Sequence, residues 1–294
     1  MANATGGFKA FRTYLEMIKF EHSVFALPFA MVGMLWGSLS ARDSAWPGFW
    51  IFFLIVVCMV TARSAAMAYN RIADREIDAV NPRTQMRALP AGLLTLRHAT
   101  LFFYGSCALF FFCAALLGPW PLALSPVALF TILFYSHTKR FTQYSHFVLG
   151  ASLGIAPAAA WVASAGGFGL AVLPLSLGVL LWTSGFDIIY SLQDEEFDRE
   201  QGLRSLPQSI GKEQSLMVSR WCHVLAIVML GFAVWFANMG PFSWAGVFFA
   251  AILLFYEQSL VKPDDLSRVN IAFFTLNGFV SIGFFVFVLL DVLF

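Results

Sequence analysis

The stretch that decides the fold is Asn70–Pro90, NRIADREIDAVNPRTQMRALP, answered further along by Asp187–Pro207, DIIYSLQDEEFDREQGLRSLP. Each begins where a long apolar run ends, and each sets polar and acidic residues at helical spacing. Asn70, Asp74 and Asp78 fall at i, i+4 and i+8, while Asp187, Tyr190, Asp194 and Asp198 fall at i, i+3, i+7 and i+11. On a helix both rows stack along one face. Carboxylates one turn apart repel and are costly near a membrane, so a cation should sit between them. A hard divalent ion carrying phosphate oxygens suits this best, because Mg²⁺ takes one or two carboxylates together with substrate phosphates. The two rows are therefore expected to face each other across a pocket and clamp a metal–diphosphate.

Composition places those rows in a membrane. The 294 residues are 59% hydrophobic and 12% charged, with 33 Phe, against roughly half apolar and about a quarter charged in soluble domains. The apolar runs are continuous rather than alternating, which argues against a barrel. The chain reads as all-α, a polytopic membrane protein forming one domain over residues 1–294. The first residues, MANATGGFKAFRTYLEMIKFEH, are mixed polar, so no signal peptide is expected. Cys58, Cys107, Cys113 and Cys222 lie in or beside apolar runs without a CxxC pair, and the five His lack ligand spacing, so neither zinc nor disulfides are expected.

Nine runs are long enough to span: residues 23–40, 49–69, 99–117, 119–136, 145–165, 170–190, 216–237, 241–260 and 270–291. Within the fifth, Gly150, Gly154 and Ala158 form a row of small residues that admits a close neighbour. Sixteen of the eighteen Lys and Arg lie at the N-terminus, in every second loop (70–98, 137–144, 191–215 and 257–269), or just inside span seven at Arg220. The positive-inside rule then puts the N-terminus and both acidic stretches in the cytoplasm and the C-terminus outside. The expected architecture is nine transmembrane helices around a central cavity open to the cytoplasmic side. A bacterial inner membrane suits that orientation, with the C-terminus periplasmic. A weak internal echo, Arg87-Ala88-Leu89-Pro90 against Arg204-Ser205-Leu206-Pro207, suggests an old duplication.

Basic residues follow the acidic ones. Lys139 and Arg140 share a short loop on the same side, and Arg83, Arg87 and Arg204 follow the two rows. Diphosphate leaving carbon needs its growing charge met by metal and cations. The positive-inside rule would supply some basic residues here in any case. Phe-rich walls could hold the tail of an amphiphile and stabilise a carbocation. Arg63, inside span two and seven residues before Asn70, is two turns deeper on much the same face. It is expected either to grip an acceptor carboxylate or to pair with Asp187, at similar depth.

At these residues the chain resembles the UbiA superfamily of intramembrane aromatic prenyltransferases. The family patterns are NDxxDxxxD and DxxYxxxDxxxD on nine helices. Here they read Asn70-x₃-Asp74-x₃-Asp78 and Asp187-x₂-Tyr190-x₃-Asp194-x₃-Asp198, with Arg71 where the family usually has Asp. The resemblance extends over NPRTQMRALPAG (81–92) and Tyr135…Lys139-Arg140. It implies Asn70, Asp74, Asp78, Asp194 and Asp198 as holders of Mg²⁺ and diphosphate. Asp74, Asp194, Lys139, Arg140 and Tyr190 become the expected catalytic residues, and Arg63, Asn70, Asp187, Arg204 and Lys19 the expected substrate-binding ones. In the first helix Lys19-Phe20-Glu21-His22-Ser23 departs from the RxxKP of 4-hydroxybenzoate enzymes, which bears on the acceptor. The implied reaction is Mg²⁺-dependent transfer of a polyprenyl group from an allylic polyprenyl diphosphate to a small aromatic acid. The acceptor would be of 4-hydroxybenzoate type or 1,4-dihydroxy-6-naphthoate, and the product a quinone precursor. The expected partners are those two substrates and the lipid bilayer, not nucleic acid. From another class, an ion-coupled transporter also uses intramembrane carboxylates, though nearer the midplane.

Overall fold

The computed structural model describes Tyr14, Met17 and residues 25–294, and within these the chain is helical. The long helices are α1 (Ala26–Ala41), α2 (Phe49–Ala73), α4 (Leu96–Leu117), α5 (Pro119–Thr138), α6 (Ser145–Ala165), α7 (Val172–Ser191), α10 (Lys212–Phe236), α11 (Pro241–Leu260) and α12 (Asn277–Leu293). Short helices α3 (Arg75–Val80), α8 (Glu195–Glu200) and α9 (Leu206–Ile210) lie in the loops after α2 and α7. Eight of the long elements are long and apolar enough to cross a membrane, and α1 is a shorter apolar helix. Together they account for the nine spans expected.

Local chemistry sets the boundaries. Pro119 and Pro241 open α5 and α11, where a missing N–H costs nothing. Thr95 caps α4 by accepting the His98 N–H, and Ser205 caps α9 by accepting that of Gln208. Gly166 closes α6 in the left-handed conformation, φ 74°. The last span differs from a plain helix at its start. Residues Ile271–Leu276 form a π-turn, because Asn277 Nδ2 donates to the carbonyls of Ala272 (3.0 Å) and Phe273 (3.2 Å). Asn277 is held in turn by Trp182 Nε1 (2.6 Å) and donates to the buried Glu257 (3.1 Å).

Packing in lipid cannot draw on water exclusion between helices, so close backbone approach matters. A Cβ on Gly150 would overlap the Leu180 carbonyl and one on Gly154 would lie 2.7 Å from the Ser176 carbonyl, which makes this row the α6–α7 contact. A Cβ on Gly33 would likewise overlap the Pro157 carbonyl, bringing α1 onto α6. Phe29, Trp182, Phe186 and Phe284 form the centre of the largest apolar cluster, joining α1, α7 and α12. Outward-facing Leu101, Phe112, Phe130, Trp221, Phe248 and Phe255 are exposed, as lipid-facing side chains should be. The loops carrying the acidic rows meet at one end. There Arg204 N–H donates to the Lys139 carbonyl (2.7 Å), and Arg140 reaches the Ala73 carbonyl (2.9 Å).

Candidate active site

A cavity of about 670 Å³ runs inward from that end. Its mouth is lined by charged residues, and its depth by apolar ones from α1, α2, α4, α5 and α6, as far as Leu117 and Phe168 near the opposite end.

Both rows bend at their middle acid. Helix α2 stops at Asp74 and α3 begins at Arg75; the α7 row passes through a 3₁₀ turn, Leu192–Asp194, into α8. The bend turns the last acid of each row, Asp78 and Asp198, inward, and both are buried. Buried charges need partners. Arg140 Nη2 donates to Asp74 Oδ1 (2.8 Å), and Arg87 Nη1 donates to both oxygens of Asp78 (2.7 and 2.8 Å). Arg83 Nη2 donates to Asp194 Oδ2 (2.5 Å), and Lys139 Nζ to Asp198 Oδ2 (3.1 Å). Each of these four acids thus has its own cation. Three of the four pairs join residues far apart in sequence. Burial pushes the Asp74 carboxyl above the ordinary range, which Arg140 offsets only in part.

Asn70 Nδ2 donates to Asp74 Oδ2 (2.7 Å), and its own Oδ1 accepts from Arg71 Nη1 (3.0 Å). Arg71, where the family has Asp, is buried and stands 3.9 Å from Asp78, so it adds positive charge beneath the row instead of a ligand. Tyr190 accepts from Arg83 Nη1 (2.8 Å) and lays its ring against Phe273, centroids 4.1 Å apart. The same Arg83 lies 5.2 Å from the Tyr190 ring centre.

Deeper in the cavity, Arg63 lines the wall with its Nε buried and unpartnered. Among the described residues it has no carboxylate partner, so the expected pair with Asp187 is not formed. Asp187 Oδ2 instead accepts from His146 Nδ1 at 2.6 Å. Sequence reasoning passed over this His as one of five scattered ones. The available signal was the carboxylate itself, which sits inside a span and had to find a donor.

Of the expected site residues, Arg63, Asn70, Asp74, Asp78, Lys139, Arg140, Asp187, Tyr190, Asp194 and Asp198 all line the cavity. Arg204 does not. Its Nη1 donates to the Phe141 carbonyl (2.9 Å), so it ties two loops together and is corrected from substrate ligand to loop anchor. Lys19 lies outside the described residues. No three His, Cys, Asp or Glu side chains among the described residues cluster closely enough to enclose an ion. The donors at the mouth are nevertheless hard oxygens, from Asn70, Asp74 and Asp78 in one row and Asp194 and Asp198 in the other. That fits an ion completing its shell with phosphate and water.

Comparison with known proteins agrees with this geometry. The model of the UbiA prenyltransferase family matches residues 26–282. A UbiA homologue from Aeropyrum pernix, solved in its apo form, is 34% identical with a TM-score of 0.83, over 92% of this chain and 98% of that one. A 4-hydroxybenzoate octaprenyltransferase from Saccharophagus degradans is 29% identical over 257 residues, 87% of this chain and 85% of that one. A UbiA homologue from Archaeoglobus fulgidus, bound to DMAPP and Mg²⁺, shares the fold at 16% identity and a TM-score of 0.76, over 95% of this chain and 99% of that one.

Proposed function

Because this chain belongs to the UbiA prenyltransferase family, we propose that it transfers a polyprenyl group from its allylic diphosphate to a hydroxylated aromatic acid of 4-hydroxybenzoate type. The product feeds ubiquinone biosynthesis. The observation that carries the acceptor is Arg63, whose guanidinium stands on the cavity wall without a carboxylate of its own among the described residues. A planar two-pronged donor is suited to the carboxylate of an aromatic acid.

The diphosphate lies at the charged mouth and the tail in the apolar depth. Asn70, Asp74, Asp78, Asp194 and Asp198 would hold the divalent ion, in our reading Mg²⁺, which when bound would supply a Lewis acid to the diphosphate oxygens. Arg83, Arg87, Lys139 and Arg140 exchange their carboxylates for phosphate oxygens and meet the charge that grows as the C–O bond breaks. Tyr190 keeps Arg83 aimed into the site. The departing diphosphate takes the C–O electron pair, leaving an allyl cation beside Phe273 and Tyr190. The ring carbon next to the phenolic hydroxyl attacks that cation. Walls of Leu, Phe and Ala keep out the water that would otherwise trap it.

The protein is a multi-pass membrane protein. We place it in the bacterial cytoplasmic membrane with the acidic mouth and N-terminus in the cytoplasm and the C-terminus periplasmic, as the Lys and Arg distribution supports. Membranes containing the protein, given Mg²⁺, geranyl diphosphate and a panel of hydroxylated aromatic acids, should yield a geranylated carboxylic acid by mass spectrometry, together with inorganic diphosphate. A product from 1,4-dihydroxy-6-naphthoate but none from 4-hydroxybenzoate would move the acceptor to that alternative. No diphosphate release with any acceptor, alongside ion flux in vesicles, would replace the enzyme reading with a transporter.

A further inference from the structure

The substitution must end with loss of a proton from the ring, in a pocket that excludes water. Five carboxylates line the cavity: Asp74, Asp78, Asp187, Asp194 and Asp198. Four of them are paired with Arg or Lys, and those same four serve the ion and the diphosphate. Among the described residues Asp187 is paired only with an imidazole. From this geometry we propose that Asp187 is the base that accepts the ring proton, and that His146 is the positioning residue behind it. The inference rests on the prenyl-transfer reading above.

The hydrogen-bond arrangement defines what each group can do. The Leu206 backbone N–H donates to His146 Nε2 at 3.5 Å, so that nitrogen is an acceptor. The ring hydrogen is therefore on Nδ1 and is given to Asp187 Oδ2. His146 is fully buried and does not reach the cavity, and Ser184 Oγ fixes its backbone carbonyl at 3.3 Å. With Nε2 occupied, the imidazole orients the carboxylate but cannot relay a proton past it. Asp187 Oδ1 accepts no hydrogen bond from the described residues, although the side chain lines the cavity and is 14% exposed. The single hydrogen bond at Oδ2 holds the carboxylate in place and leaves Oδ1 to take the proton.

Depth agrees with this role. Asp187 precedes Asp194 by seven residues, and Arg63 precedes Asn70 by seven, so both lie roughly 10 Å below the diphosphate layer at 1.5 Å per helical residue. An acceptor held by Arg63 is thus level with Asp187. In the final step the new carbon–carbon bond is already made. The C–H electron pair at the same ring carbon returns to the ring, and the proton passes to Asp187 Oδ1. Asp187 becomes a neutral acid, still bonded to His146 through Oδ2, and gives its proton to water as the product leaves.

The test compares 4-hydroxybenzoate with its ring-3,5-dideuterated form, using geranyl diphosphate and Mg²⁺. The wild-type protein should show a deuterium effect on kcat near unity. Asp187→Asn should lower kcat by about a hundredfold to ten-thousandfold, leave the prenyl diphosphate KM unchanged, and bring out a primary isotope effect as proton loss becomes limiting. His146→Ala should lower kcat with both KM values held. His146→Asn, whose amide N–H stands near the position of Nδ1, should recover much of that loss. A near-normal kcat in Asp187→Asn, or a fall in kcat without an isotope effect, overturns the assignment even if His146→Ala does not fold. If the wild-type protein prenylates no aromatic acid, the reaction reading itself fails and this assignment falls with it.

Discussion

Asp74 and Asp194 hold the same backbone bend, φ −98° and ψ 8° in the first row against φ −99° and ψ 1° in the second. Each is followed by a six-residue helix that turns a further carboxylate inward to meet a cation. Two turns deeper the likeness ends. The first row continues to Arg63, a cation with no carboxylate partner among the described residues, and the second to Asp187, an anion backed by a histidine. A diphosphate and its ion are close to symmetric, so matching halves can hold them. An aromatic acid has a carboxylate at one side and a reacting carbon at another, so it needs unlike groups. In the proposed reaction the matched layer serves the diphosphate and its ion, and the unlike layer serves the aromatic acceptor.

That comparison can be broken at its symmetric level first. Asp74→Asn and Asp194→Asn should each reduce kcat by a hundredfold to a thousandfold, roughly the loss seen when one stabilising group is removed from a developing charge. Both should weaken Mg²⁺-dependent binding of prenyl diphosphate while Tm stays near normal. A large effect in one and none in the other would show that the two bends are alike in shape only.

Lys139→Met and Arg87→Met probe the buried ends of the rows. Each strands a carboxylate, Asp198 or Asp78, and should cost roughly 1–3 kcal/mol of stability, less than a wholly buried pair because Lys139 and Arg87 are about a third exposed. The Lys139 change should be the more severe, since Asp78 retains Arg71 at 3.9 Å. Thermal melts with and without Mg²⁺ would read this out, and the ion should restore more Tm in the variants than it adds to the wild type.

At the unlike level, Arg63→Lys should raise the acceptor KM on the order of tenfold while prenyl diphosphate affinity holds, because a point charge replaces a planar fork. The variant should also lose most of its preference for the carboxylated acceptor over the same phenol without its carboxylate. If only Tm changes, Arg63 is structural and the asymmetry has another meaning. Tyr190→Phe should do least, a few-fold rise in the prenyl diphosphate KM. It removes one hydrogen bond to Arg83 but keeps the ring against Phe273.

What could be read in advance follows from what is local. The rows were legible because a helical repeat needs only its own residues. The spans were legible because lipid demands apolar length, and their ends because Pro119, Gly166 and Pro241 act within one turn. Partners distant in sequence were not legible. Nothing in the spacing ties Arg83 to Asp194 or Lys139 to Asp198, since those pairs depend on how loops fold over one another. Arg204 occupies the place in its loop that Arg87 has in the other, yet it turns to a carbonyl of Phe141 where Arg87 turns to Asp78. The π-turn opening the last span was hidden for a similar reason. It depends on Asn277 taking carbonyls in its own helix while bonded to Trp182 and Glu257 from two others.

The self-neutralised mouth also bears on how the site empties. Before the reaction, a long apolar tail anchors the diphosphate. Once the carbon–oxygen bond is cut, that anchor is gone and the leaving group is held by charge alone. Four carboxylates and four cations then stand ready to close on one another, so the protein competes with its own by-product for every contact. In the proposed reaction, spent diphosphate and ion would return to the aqueous side, while the prenylated acid, which keeps the tail, would stay with the bilayer.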